Sequence, residues 1–183
     1  MKNYFLILFL CFTISAFGQI EKPITQGHVL IGGDFIGVYD KIGTSKTTQI
    51  VATPNIGYFI INNLALGAII PIQYVNVEKS YSYISMGFGP YLKYYFNTGI
   101  FLSVNSSGSI LNYKYPSSFY SNQSFNTKMV SVSPGIGYAY FLNNNVSLEG
   151  GVFYEYYKIF GGNSLRNYER NSMRLQVGFH IFL

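Results

Sequence analysis

The segment that ends the chain alternates without a break. Met173, Leu175, Val177, Phe179, Ile181 and Leu183 fall on one face of an extended strand, and Arg174, Gln176, Gly178 and His180 fall on the other. The same period of two runs through the segment from Ser82, where Ile84, Met86, Phe88, Pro90, Leu92 and Tyr94 oppose Tyr83, Ser85, Gly87, Gly89, Tyr91 and Lys93. It returns where Val130, Val132, Pro134, Ile136 and Tyr138 oppose Met129, Ser131, Ser133, Gly135, Gly137 and Ala139. Sustained alternation of this kind reads as strand. One face is bulky and apolar, and the other is small or polar. A soluble barrel would turn the apolar face inward and need a charged exterior, yet the opposing face here is chiefly Gly, Ser and Ala. Charged residues are only 10% of the chain, against roughly a quarter in average soluble domains, too few to dress a soluble surface. The apolar face is therefore assigned to lipid. Small residues suit the lumen of an eight-stranded barrel, whose bore is just wide enough for side chains. Leu30, Ile36, Phe101 and Leu111 depart from the pattern and fall on the inward face.

Eight such runs follow one another: His28–Tyr39, Thr47–Ile60, Leu64–Val75, Ser82–Tyr95, Gly99–Tyr113, Thr127–Phe141, Val146–Ile159 and Ser172–Leu183. No segment has a helical period. Connections around Asn62, Asn97 and Asn144 are tight and Asn-rich, whereas those around Lys41, Lys79, Phe119 and Arg166 read as longer and more polar. Outer-membrane barrels have short periplasmic turns and longer extracellular loops, so both chain ends are expected on the periplasmic side. A faint repeat supports a hairpin unit: the segments from Thr53, Gly89 and Ser133 each set a proline before an aromatic cluster, an Asn turn and a new strand. The predicted fold is an all-β, closed, antiparallel, eight-stranded transmembrane up-and-down barrel.

The start of the chain has the layout of a secretory signal peptide over residues 1–18: Lys2, an apolar run from Phe5 to Ile14, then Ala16 and Gly18 at the cleavage site. The barrel domain is then 19–183. That run is too short to cross a bilayer as a helix, which needs ~20 apolar residues. Cys11, the only cysteine, leaves with the signal, so the mature chain has no thiol for a disulfide, a metal or a nucleophile. Leu10 stands where a small residue should precede a lipidated cysteine, which argues against a lipoprotein.

Aromatic residues gather at strand ends. Tyr58, Phe59, Tyr94, Tyr95, Tyr138 and Tyr140 lie toward the short turns, and Tyr39, Tyr74, Tyr83, Tyr113, Tyr154 and Tyr156 toward the loops, like the two interfacial girdles of membrane barrels. With this pattern and its terminal strand LQVGFHIFL, the mature sequence resembles the small outer-membrane β-barrel proteins of the OmpA-like transmembrane type, Bacteroidetes-like in character. The resemblance implies recognition by the barrel assembly machinery through that C-terminal strand. The departure is Leu183, where the family usually ends in Phe. It implies a fold and a location far more than an activity.

Five charges fall on inward positions: Asp34, Lys93, Glu149, Glu155 and Arg174. A buried ion without a partner is very costly, so they are expected to pair, Lys93 with Glu149 across the bore and Glu155 with Arg174 on the adjoining strand. With the inward Tyr83, Tyr91, Tyr95, Phe153 and Tyr157, such a network is expected to plug the barrel; the alternative is a polar path for small solutes. His28 and His180 are both assigned inward near the periplasmic end of the first and last strands, where ring closure would bring them near one another. A metal would want three or four ligands, and the sequence calls for no metal or cofactor. Lipid A-modifying barrel enzymes need a nucleophile and base near the extracellular strand ends, and the histidines sit at the other end. No catalytic residue is assigned. At the loop end Lys41, Lys46, Lys79, Lys114, Lys128, Lys158, Arg166 and Arg170 face only Asp40, Glu78 and Glu169, an excess equal to the formal net charge of +5. Of these, Lys114, Lys128, Arg166 and Arg170 form a candidate rim for lipopolysaccharide phosphates. Ordinary solvated loops would look the same. Export and lipid burial exclude a nucleic-acid partner, and no pattern sets an oligomeric state. The expected function is that of a non-enzymatic outer-membrane barrel serving envelope integrity or surface interaction, with a small porin-like channel as the alternative.

Overall fold

Wherever bulky and small residues alternate, the chain is a strand. The computed structural model describes residues 24–42, 45–78, 80–114, 124–160 and 168–183. The expected signal peptide with Cys11, together with Lys79, Phe119 and Arg166, lies outside the described residues. The strands are β1 (Val29–Ile42), β2 (Ser45–Ile61), β3 (Leu64–Ile69), β4 (Ile72–Val77), β5 (Tyr81–Tyr95), β6 (Ile100–Lys114), β7 (Ser124–Asn143), β8 (Val146–Phe160) and β9 (Tyr168–Phe182). Each pairs antiparallel with its neighbours, and β1 pairs with both β2 and β9, which closes the ring.

Nine elements make eight crossings, because β3 and β4 both lie between β2 and β5. The sequence predicts one strand there. Pro71 has no N–H to give the ladder, and the strand breaks at Ile70 and Pro71. The break is bridged: Ile70 N donates to Pro54 O (2.9 Å) and Gly87 N to Pro71 O (2.9 Å). Pro90 and Pro134 have a milder effect. Each keeps one neighbour, Ala68 and Val104 respectively, and lacks a ladder pair on its other side.

The turns at 62–63, 96–99 and 144–145 are tight, as expected. Asn63 takes a left-handed backbone (φ 71°), which asparagine tolerates better than most residues. The opposite end differs from the sequence expectation. Only the connections at 115–123 and 161–167 are long; β1 and β2 run on to Ile42 and Ser45, and β4 and β5 are separated by 78–80 alone. Thr47, Thr48 and Gln49 are polar but extended by nature, so the β1–β2 ladder continues through them.

Orientation follows the alternation. Met86, Phe88, Val132, Ile136, Leu175 and Val177 are exposed, while Ser85, Lys93, Ser131 and Ala139 are buried. Of the four apolar residues assigned inward, Leu30, Phe101 and Leu111 are buried and Ile36 is half-buried. On β9 the outward apolar residues run from Met173 to Ile181, matching the ~9–11 tilted residues that cross a hydrocarbon core. The expected girdles are only partly correct. Tyr58, Tyr94, Tyr138 and Tyr140 face outward at one end and Tyr39, Tyr74, Tyr154 and Tyr156 at the other, but Phe59 and Tyr95 are fully buried in the bore. Tyr83 and Tyr113 also take the inward parity and pack against each other, ring centroids 5.1 Å apart. The girdle assignment of these four follows from height along the barrel; the parity of the strand overrides it.

Candidate functional site in the barrel lumen

Inward side chains stack in layers from the short-turn end to the loop end. The lowest layer is apolar: Leu30, Phe59, Tyr95, Phe101 and Phe182 are almost wholly buried, and Ile24, ahead of β1, is buried with them. Phe182 packs on Phe59 (6.1 Å), Tyr95 (6.0 Å) and Phe141 (5.2 Å). Ile24 is held there by its carbonyl, which accepts from Asn63 N at 2.7 Å. These residues come from the segment ahead of β1 and from β1, β2, β5, β6 and β9, so the floor forms only in the closed ring.

Above the floor lies an ion cluster centred on Glu149, 3% exposed. Lys93 on β5 reaches across the bore to Glu149 on β8 and forms an ion pair with it. Tyr95 Oη donates to Glu149 Oε1 (2.8 Å), Ser147 Oγ donates to the same oxygen (3.3 Å), and His180 Nδ1 lies 3.4 Å from Oε2. Asn55 Nδ2 faces His180 Nε2 at 3.1 Å. With the amide donating, Nε2 is the acceptor and the ring proton sits on Nδ1, which lies beside the carboxylate without a hydrogen bond to it. Lys93 Nζ also sits 4.1 Å above the Phe101 ring, a favourable place for a cation. Asp34 faces the same small cavity as Lys93 and His180 but is within ion-pair distance of no described cation.

Room for this cluster comes from glycine. A Cβ on Gly135 would meet the Phe153 ring, and one on Gly57 or Gly67 would meet Tyr91. Bulky lumen residues are thus seated against strand positions that lack side chains.

The next layer is a chamber of about 50 Å³ of mixed lining, with Ser85, Ser107, Ser109, Ser131 and Gln176 beside the apolar Val51, Ile69 and Met129, space for roughly three or four waters. Ser107 and Ser131 hydrogen-bond each other at 2.9 Å. Glu155 and Arg174 form an ion pair along its wall, and Ser172 Oγ donates to Glu155 at 3.5 Å. Gln176 Oε1 is buried and accepts no hydrogen bond. Toward the loop end Tyr81, Tyr83 and Tyr113 cluster, with Gln73 Nε2 donating to Tyr83 Oη at 3.2 Å.

Two pairs expected from sequence are thus in contact, while Asp34 stands beside the first of them. The two histidines have separate surroundings. His180 is 1% exposed and opposite Gly32, whereas His28 precedes β1 and sits at the rim against Thr25 Oγ1 at 2.9 Å. Sequence reasoning places Leu30, Tyr95 and Phe101 of the floor inward but misses Phe59 and Phe182, and it misses the hydrogen bonds of Tyr95 and Ser147 to Glu149 and the nearness of His180. Shared inward parity on β8 and β9 was the available signal.

Lys114 and Lys128 are exposed at the loop end, and both take the outward parity of their strands. Arg170 does not: it has the inward parity of Arg174 and stands opposite Tyr157 in the β8–β9 ladder, so it belongs to the mouth of the bore rather than to an outward rim. Lys46 and Lys158 are engaged by Glu78 (3.7 Å) and Glu169 (2.7 Å). No cluster of three or more potential metal ligands occurs among the described residues.

No protein-family profile matches the sequence, and no curated protein matches it. Solved structures do. Neisserial surface protein A is 16% identical, with a TM-score of 0.56 over 85% of this chain and 99% of that one. The β domain of the Bordetella autotransporter BrkA is 10% identical, with a TM-score of 0.50 over 84% of this chain and 69% of that one. At these identities the likeness is one of fold: a closed antiparallel β-barrel.

Proposed function

We propose that the protein is an integral barrel of the bacterial outer membrane, of the OmpA-like transmembrane type, that serves envelope integrity or surface contact rather than solute flow. The observation that carries this reading is the pairing of an apolar outer belt with a filled bore. Lipid is the solvent for the belt, because a closed ring leaves no bare strand edge where it is paired. The aromatic floor and the Lys93–Glu149 cluster above it fill the lower bore, which supports a sealed lumen. Export by a cleaved leader, assembly through the C-terminal strand, periplasmic termini and lipopolysaccharide phosphates on Lys114 and Lys128 belong to the same reading. Purified protein in planar bilayers should give no steady conductance, and a deletion strain should become sensitive to detergents. A large stable conductance would instead promote the channel reading. Orientation is tested separately: trypsin on intact cells should cut near Lys114, Arg166 or Arg170. Protection there with cleavage near Lys22 would invert it.

A further inference from the structure

The ladder that closes the ring is incomplete. β1 and β9 pair from Leu30↔Phe182 to Phe35↔Val177 and no further. Both strands continue well beyond, each paired only on its other side, β1 with β2 as far as Ile42↔Ser45 and β9 with β8 as far as Ile159↔Tyr168. This differs from the gaps at Pro90 and Pro134, where the ladder resumes in register. No proline lies between Ile36 and Ile42 or between Tyr168 and Gln176. The two terminal hairpins therefore diverge and leave a seam with a strand edge on each side.

Depth makes the seam informative. The outward apolar run of β9 extends from Ile181 up to Met173, so pairing ends about midway through the belt. Met173 and Leu175, beside the seam, are 74% and 75% exposed, more than any other large apolar residue described. Bare backbone edges do not face hydrocarbon; at that depth they line a cavity or bind something. Behind this seam is the chamber, since Arg174 and Gln176 of β9 form part of its wall.

We propose that the seam is a lateral portal through which the chamber receives the uncharged, hydrogen-bond-donating head of a single-chain amphiphile, such as a monoacylglycerol, from the surrounding leaflet. This rests on the membrane reading above. Arg174 is neutralised by Glu155, so the chamber offers no free charge to a charged head. Its serines both donate and accept, and the buried Gln176 Oε1 needs a donor, which a hydroxyl supplies. Phe35 and Leu175 flank the opening with apolar surface for the chain. The floor and ion cluster seal the chamber from below, so the seam leads to a binding site rather than a passage to the far side.

Two measurements test this on the full-length protein in phosphatidylcholine vesicles. Extending the observed register would pair Gly37 with Leu175. A disulfide needs Cα atoms within ~7 Å, so Gly37→Cys with Leu175→Cys should not oxidise to a cross-link, whereas the paired control Ile31→Cys with Ile181→Cys should. Ready cross-linking of the first pair would show a closed seam and overturn the proposal. A diazirine-bearing monoacylglycerol should then label residues 36–39 and 172–176 several-fold more than Phe88 or Ile110 on the far wall, and Gln176→Leu should abolish the excess. Even labelling around the barrel overturns the portal while leaving the membrane reading intact. Absence of labelling everywhere overturns both. Seam cysteines that link two copies of the chain would assign the edges to self-association, also against the proposal.

Discussion

Removing the carboxylate of Glu149 should be among the most damaging single changes in this barrel. Glu149→Ala leaves the Lys93 ammonium, 6% exposed, without its counter-charge, and breaking one side of a buried pair costs about 3–5 kcal/mol. Tyr95 and Ser147 also lose an acceptor, which puts the loss toward the upper end. Lys93→Ala leaves the carboxylate with both hydroxyl donors and the His180 ring nearby, so its cost should sit near the lower end. Lys93→Met with Glu149→Leu removes both charges and refills the space, and replacing a buried pair by apolar residues is often neutral or stabilising. With Glu149→Leu and Lys93→Met as the single changes of the cycle, each costing about as much as its alanine counterpart, the double variant should lie within about 1 kcal/mol of the unmodified protein, a coupling of at least ~3 kcal/mol. Urea unfolding in vesicles, followed by the slower migration of unfolded chain on unheated gels, measures all four species. Additive single effects below about 1 kcal/mol would refute the view that this pair holds the bore together.

Unheated protein in SDS should migrate faster than boiled protein; identical migration would argue against a closed barrel. Lys93→Ala with Glu149→Ala should leave planar bilayers nearly non-conducting, because the floor below is intact, and adding Phe59→Ala and Phe182→Ala should raise conductance. A large conductance from the charge variant alone would assign the seal to the ion pair. Gly135→Val should lower stability by about 1–3 kcal/mol through overpacking against Phe153, with partial recovery in Gly135→Val with Phe153→Ala, read as a shift in the urea midpoint.

Much of this arrangement is legible in the sequence because a strand has one bit of information per residue. Parity tells which face Lys93, Glu149, Glu155 and Arg174 take, and strand order tells which can meet. What parity does not contain is stagger. The relative height of neighbouring strands is set by the shear of the closed ring, so the meeting of His180 with Glu149 and the separation of His28 from both are hidden in the sequence. Phe59 escapes sequence reasoning for a related cause: nearness to a strand end speaks to height, and the bore has ends as well as the bilayer; Tyr95, by contrast, is legible from the parity it shares with Lys93. The break at Pro71 is visible as a proline, but the repeat shows prolines tolerated inside strands at Pro54, Pro90 and Pro134. Which of them interrupts a strand depends on both neighbours.

The floor has a consequence for the order in which the barrel can be made. Ile24 and Phe182 lie near opposite ends of the described chain and meet Phe59 beneath the same bore. A growing sheet of β2 through β8 could hold its hairpins in register, but it would carry half a stopper, with the aromatic rings of β2 and β5 open to solvent. Watertightness is acquired in the last step, when the first and last strands join, rather than gradually with each hairpin. An assembly intermediate released early would be a hole in the membrane, and the apolar surface that closure removes from water biases that final step toward completion.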